Sequence, residues 1–159
     1  MPLFPDVAKL TVRAATPADR ALVVGLLAEL VDEIGPREGS EALKGRLDPD
    51  IAVALASPAV RILVAELDGE AMGISRGDVL TQDPIFRLRE DHRCGYVDQM
   101  YVRQAFRGRG VGQKLLHGLE EWFKAQGVAH VLLHAAPRAI RFYAREGFLP
   151  NREMFKRLL

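Results

Sequence analysis

Apolar positions along this chain change period several times, and each change marks an element. Leu10, Val12 and Ala14 alternate with Thr11, Arg13 and Ala15, the period-two pattern of a short strand. Thr16 follows as a helix cap, with Pro17 at the first helical position and Asp19 three residues after the cap. Leu22, Val23, Leu26, Leu27 and Leu30 then hold one helical face, and Gly35-Pro36 should end that helix. Ser40 opens a weaker pattern through Leu43, Leu47, Ile51 and Leu55, where Pro49 allows for two short pieces.

Val60 to Leu67 is rich in branched apolar residues, Asp68-Gly69 is a hairpin signal, and Ala71 to Leu80 returns as the partner strand. The polar, charged stretch Thr81 to Arg93 contains Pro84 and reads as a loop carrying Phe86 and Leu88. Gly95 to Val102 is the next strand. Val111, Leu115, Leu119, Trp122 and Phe123 keep helical spacing between Gly110 and Gln126, and Gly127 can terminate that helix. Val128 to His134 reads as a strand, Pro137 opens a helix ending before Gly147-Phe148, and Glu153 to Leu158 reads as a last strand. Alternating strands and helices with one inserted hairpin predict an α/β sandwich, a mixed sheet with helices on both faces.

Length and composition agree with that. The chain's 159 residues suit one domain spanning 1–159, a size that buries about 70% of the surface its unfolded form exposes. Lys plus Arg (22) nearly balances Asp plus Glu (21), so no net field points to nucleic acid or an anionic membrane as partner. The single cysteine, Cys94, excludes an intramolecular disulfide, builds no zinc site by itself and suits a reducing compartment. Prolines and charges break the first residues, and no apolar run approaches the roughly 18 to 20 residues that cross a bilayer. A cytoplasmic, soluble protein with no metal is the expectation.

The chemistry concentrates where the Tyr96 to Val102 strand meets the Gly110 helix through Arg103-Gln104-Ala105-Phe106-Arg107-Gly108-Arg109. Free N–H groups at a helix start point outward together, the helix dipole adds partial positive charge, and glycine lets the backbone come close, so a diphosphate can be cradled there. Arg107 and Arg109 add charge. The glycines at 108, 110 and 112 do not make G-x-G-x-x-G, and the P-loop pattern is absent. An Arg-Gly RNA-binding tail lacks the strand-turn-helix setting seen here.

Arg107-x-x-Gly110-x-Gly112, preceded by Tyr101-Val102 and followed by Val111, Leu115 and Leu116, resembles the shared motif of the GNAT superfamily of N-acetyltransferases. Ala139-Ile140-Arg141-Phe142-Tyr143-Ala144-Arg145-Glu146-Gly147-Phe148 is similar to the family's late helix motif. The resemblance implies a three-layer GNAT-like sandwich on a mixed six- to seven-stranded sheet. It also implies acetyl-CoA as acyl donor and direct attack by a primary amine, small molecule or peptide, within a ternary complex. Gly108, Arg109, Gly110, Val111 and Gly112 would hold the diphosphate with Arg107, and Arg138 would reach the phosphates. Met100, Tyr101 and Val102 would flank the pantetheine arm, with a backbone N–H such as that of Met100 facing the thioester carbonyl.

An alkylamine of pKa about 10.4 is neutral in roughly one molecule in 2,500 at pH 7, so a proton acceptor is useful. Asp98, read as alternating with Tyr96 and Met100, is the first candidate; His134 is the second. Tyr143, a phenol that stays protonated at pH 7, is the candidate acid for the departing thiolate. The family's frequent Asn seven residues before the tyrosine is replaced by Ala136, which keeps open a second reading, a non-catalytic acyl-CoA-binding regulatory module. Asp32, Glu33, Glu38, Asp83, Glu90 and Asp91 would suit a cationic acceptor. Homodimers are common in the family, although no feature of this sequence marks an interface.

Overall fold

Asp68 and Gly69 both take positive φ, 50° and 81°, the pair of values that a two-residue turn needs to match the twist of its strands. They join β2 (Val60–Leu67) to β3 (Glu70–Thr81) in the computed structural model of the protein, which describes residues 9–81 and 93–150. β1 (Thr11–Ala14) pairs antiparallel with β2, and β4 (Arg93–Val102) antiparallel with β3. β5 (Val131–Leu133) lies parallel to β4 and completes the order β1-β2-β3-β4-β5. The described residues therefore hold a five-stranded mixed sheet. The strand expected at 153–158, and Phe86 and Leu88, fall outside them.

The crossover from β4 to β5 is α3 (Val111–Ala125). Its buried stripe of Leu115, Leu116, Leu119, Trp122 and Phe123 covers one sheet face, meeting Leu63, Ala65 and Val97. Phe123 lies against two glycines of the sheet: a Cβ on Gly77 or Gly95 would come within 2.6 or 2.8 Å of its ring. On the other face, α1 (Arg20–Ile34) and α2 (Ser40–Ala56) bury Val23, Leu26, Leu27 and Ile51 against Ile62, Val64 and Ile74. Each such side chain contributes about 1.5–3 kcal/mol on burial.

Local expectations shift in three places. Residues Pro17–Asp19 form a 3-10 turn closed by the Thr16–Asp19 capping box, and α1 proper begins at Arg20. α2 runs unbroken through Pro49 rather than as two pieces, because Leu47, Ile51 and Ala54 on its buried side hold both halves against the sheet. The strand expected from Val128 starts only at Val131: Gly127 takes φ 73°, and the Val128 N–H returns to the Phe123 carbonyl at 3.0 Å, so this segment closes α3 instead.

A fourth shift bears on chemistry. In the β3–β4 register Arg76 faces Gln99 but Gly77 faces Val97, so Asp98 is an extra residue, a β-bulge. Simple alternation of Asp98 with Tyr96 and Met100 fails there. Val97 and Met100 both belong to the α3 side, while Asp98 turns its carboxylate to within 3.7 Å of Arg76.

Candidate functional site

β4 and β5 pair only from Gly95–Val97 to Val131–Leu133, and among the described residues nothing continues that edge along the rest of β4. Where the strands part, a cavity of about 530 Å³ opens. Met100, Tyr101 and Val102 form its floor at the end of β4. The following turn supplies Arg107, Gly108 and Gly110, and the start of α3 supplies Val111 and Gly112. Arg138 and Tyr143 face them from the opposite wall, beside α4 (Ile140–Arg145). Arg109, Asp98 and His134 do not line this cavity.

Gly108 and Gly110 take φ of 72° and 79°, the left-handed region that costs other residues about 1–2 kcal/mol. Gly110 is the residue before α3, with no side chain among the described residues capping the helix. The first intrahelical bond runs from the Lys114 N–H to the Gly110 carbonyl at 3.0 Å, so the preceding N–H groups of the first turn face the cavity end unsatisfied by the helix itself. Gly112 has room for a methyl at ordinary contact distance, 3.6 Å from the Phe142 ring and 3.9 Å from Val102. An uncapped helix start beside two arginines fits a phosphate-bearing ligand.

Those arginines are held from α1. Arg107 donates from Nε to the Val102 carbonyl at 2.8 Å and from Nη2 to Glu33 at 2.6 Å, and its guanidinium lies 5.9 Å over the Tyr101 ring. Arg138 reaches the same carboxylate at 2.9 Å. One helical turn earlier Glu29 holds Arg103 at 2.7 and 2.9 Å. Arg107, with Arg138 adding to it, holds the Glu33 carboxyl below the usual carboxylate range. Glu33, expected from sequence to attract a cationic acceptor, is instead neutralised here; Asp32 likewise pairs with Lys44, and 83, 90 and 91 lie outside the described residues.

Tyr143 meets Phe142 and Phe148 edge-on, with centroids 5.1 and 5.6 Å away, and its hydroxyl points to the Met100 sulfur at 3.9 Å. Thioether sulfur is a weak acceptor, easily exchanged for a better one. Burial pushes the phenol pKa up, so it remains a proton donor at neutral pH. Ala136 contributes no side-chain cap; its carbonyl accepts the Ala139 N–H at 2.8 Å and Pro137 begins the turn into α4, which keeps the helix direction without an asparagine.

Across the sheet, Arg76 makes a two-point contact with Asp78 at 2.8 Å and a longer one with Asp98. Burial raises the Asp98 pKa, Arg76 opposes the rise, and Asp78 adds to it. Gln99 carries a buried side-chain oxygen with no hydrogen-bond partner among the described residues. His134, just beyond β5, has its Nδ1 2.6 Å from the Tyr96 hydroxyl. Sequence reading overlooked Arg76 and Asp78, although two charges spaced by two within Ile74-Ser75-Arg76-Gly77-Asp78-Val79 already mark one polar position row on an otherwise apolar strand.

The model of the acetyltransferase (GNAT) family matches residues 27–148. Glucosamine 6-phosphate N-acetyltransferase 1 of Oryza sativa subsp. japonica is 32% identical over 88 residues, 55% of this chain and 52% of that protein. The chain thus matches about half the length of this curated relative. Among solved structures, a GCN5-related N-acetyltransferase from Ralstonia eutropha JMP134 is similar with a TM-score of 0.84 and 26% identity, covering 94% of this chain and 98% of the other. An acetyltransferase from Clostridium acetobutylicum solved with acetyl-CoA shares the fold at a TM-score of 0.81 and 21% identity, over 92% and 94% of the two chains.

Proposed function

The chain belongs to the acetyltransferase (GNAT) family, and from that premise we propose that it is an N-acetyltransferase moving an acetyl group from acetyl-CoA directly to a cationic primary amine. The observation that carries the reading is the meeting of three features around one cavity: the uncapped start of α3, the parting of β4 from β5, and the Tyr143 hydroxyl. The fold neighbour from Clostridium acetobutylicum that was solved with acetyl-CoA supports the choice of donor. The similarity to a glucosamine 6-phosphate N-acetyltransferase supports an amine as acceptor.

When bound, acetyl-CoA supplies a thioester whose acyl carbon passes to the amine as the carbon–sulfur bond breaks. The chain's residues do the rest. First-turn N–H groups of α3 with Arg107 and Arg138 hold phosphates, and the Gly108 and Gly110 backbone leaves room for them. Met100 and Val102 offer main-chain groups to the arm, and a β4 N–H such as that of Met100 faces the negative charge developing on the carbonyl oxygen. The ammonium loses one proton to solvent before it attacks. As the nitrogen adds, it gives a second proton through water to Asp98, and the departing sulfur takes one from the Tyr143 hydroxyl. Asp98 returns its proton through water to the Tyr143 phenolate, so both residues end as they began.

Asp98 is preferred to His134 because it directly follows Val97, the last β4 residue paired with β5, and its raised pKa makes it a better base, whereas His134 Nδ1 is engaged by Tyr96. Asp78 and Asp98 share the single guanidinium of Arg76, while nearby Asp50 pairs with Arg46, and the surplus carboxylate beside Arg76 favours a cationic acceptor. Calorimetric titration of acetyl-CoA into the wild type and Gly110→Glu tests the donor half. Binding by the wild type and its loss in a variant of unchanged circular dichroism is expected; normal affinity in Gly110→Glu sinks the assignment.

A further inference from the structure

Glu33 lies in the last turn of α1, and its carboxylate receives arginines from two walls of the donor cavity, Arg107 at 2.6 Å and Arg138 at 2.9 Å. Both arginines line the cavity and Glu33 does not. The attachment of α1 to this loop does not depend on Glu33, because Glu29 already ties Arg103 one turn earlier, away from the cavity. The Glu33 side chain is 24% exposed as a whole, while Oε1, the atom that meets Arg138, is buried and makes no hydrogen bond among the described residues, so that pair is a charge contact which a better ligand for the guanidinium can break. Held ionised by Arg107, which hydrogen-bonds it, and by Arg138, which pairs with it in charge, it occupies the guanidinium groups that phosphate oxygens would take.

We propose that Glu33 is an internal counter-ligand of the donor site. It neutralises Arg107 and Arg138 while no donor is bound, yields them to the phosphates of an acyl-CoA, and recovers them as CoA leaves. The idea rests on reading the cavity as an acyl-CoA site. Two consequences follow from the exchange. Donor affinity is lower than the arginines alone would confer, since the competent state must first be released from Glu33. Product CoA is expelled faster for the same reason, and only ligands that carry phosphates feel either effect.

Glu33→Gln keeps the size of the side chain and an oxygen for either arginine while removing the charge. Acetyl-CoA and acetyl-pantetheine, which lacks the phosphates, would be titrated into wild type and variant by calorimetry, and CoA dissociation followed by stopped flow. The variant should bind acetyl-CoA about five- to thirtyfold more tightly and release CoA more slowly by a similar factor. Acetyl-pantetheine should bind equally to both proteins, and Glu29→Gln should not tighten acetyl-CoA. Glu33→Ala should shift affinity in the same direction and keeps the test available if the glutamine variant folds poorly. Unchanged or weaker acetyl-CoA binding overturns the proposal, as does equal tightening for acetyl-pantetheine. A wild type that binds no acetyl-CoA overturns the donor-site reading along with it, and that titration tells the two failures apart.

Discussion

Tyr143 and Asp98 divide the proton traffic, and their surroundings differ in a way that separate substitutions can read. Tyr143→Phe removes the hydroxyl and keeps the ring against Phe142 and Phe148. A fall in kcat of about 100-fold with little change in KM for acetyl-CoA is expected from steady-state kinetics. An unaltered kcat would remove Tyr143 as the acid. Asp98 has a folded-state pKa above its ordinary value, so the folded protein binds that proton more readily than the unfolded chain. Its ionisation therefore subtracts from stability once pH exceeds the unfolded value, and the penalty disappears below it. Asp98→Asn should lower kcat, flatten the acid limb of the pH–rate profile, and leave the melting temperature at pH 7 unchanged or higher. A normal rate in that variant would pass the role of base to His134.

Elements were legible wherever local pattern and tertiary packing agree. The hairpin turn at Asp68-Gly69 and the α3 stripe ending at Gly127 needed only their own residues. α2 was not legible as one helix, because Pro49 is by its local chemistry a breaker, and only the packing of Leu47, Ile51 and Ala54 against the sheet carries the helix through it. Pro49 there lacks the N–H that would bond back one turn, so Pro49→Ala should stabilise the protein by about 1–3 kcal/mol. A rise in melting temperature of several degrees would show it, and a fall would mean that Pro49 has a role of its own. Asp98 was misread for a related reason: a bulge is a property of two strands in register, and one strand's alternation cannot reveal it. The arginines of the turn were visible as charge, but their partners Glu29 and Glu33 lie 74 residues away in the chain, beyond any spacing rule.

At the scale of the molecule, the sheet brings the turn before α3 and the helix of Tyr143 around one cavity from positions that sequence spacing alone does not connect. Among the described residues no helix is long and apolar enough to cross a membrane. The other edge of the sheet carries an acid-sensitive clasp, in which Arg13 on β1 grips Asp19 before α1 and Glu66 on β2. Arg13 holds the Asp19 carboxyl well below its usual range. The clasp thus adds stability above the unfolded value of about 3.9 and loses it as pH falls further. Arg13→Met should cost about 1 kcal/mol at pH 7 and much less at pH 2, read as the difference between denaturation midpoints; an equal loss at both pH values would discount the clasp. The direct test of the whole account is the initial rate of thiol release from acetyl-CoA across a panel of amines. Release stimulated by cationic primary amines above the amine-free background is the predicted result. A rate that no amine raises would contradict the account and leave a module that binds acyl-CoA without turning it over.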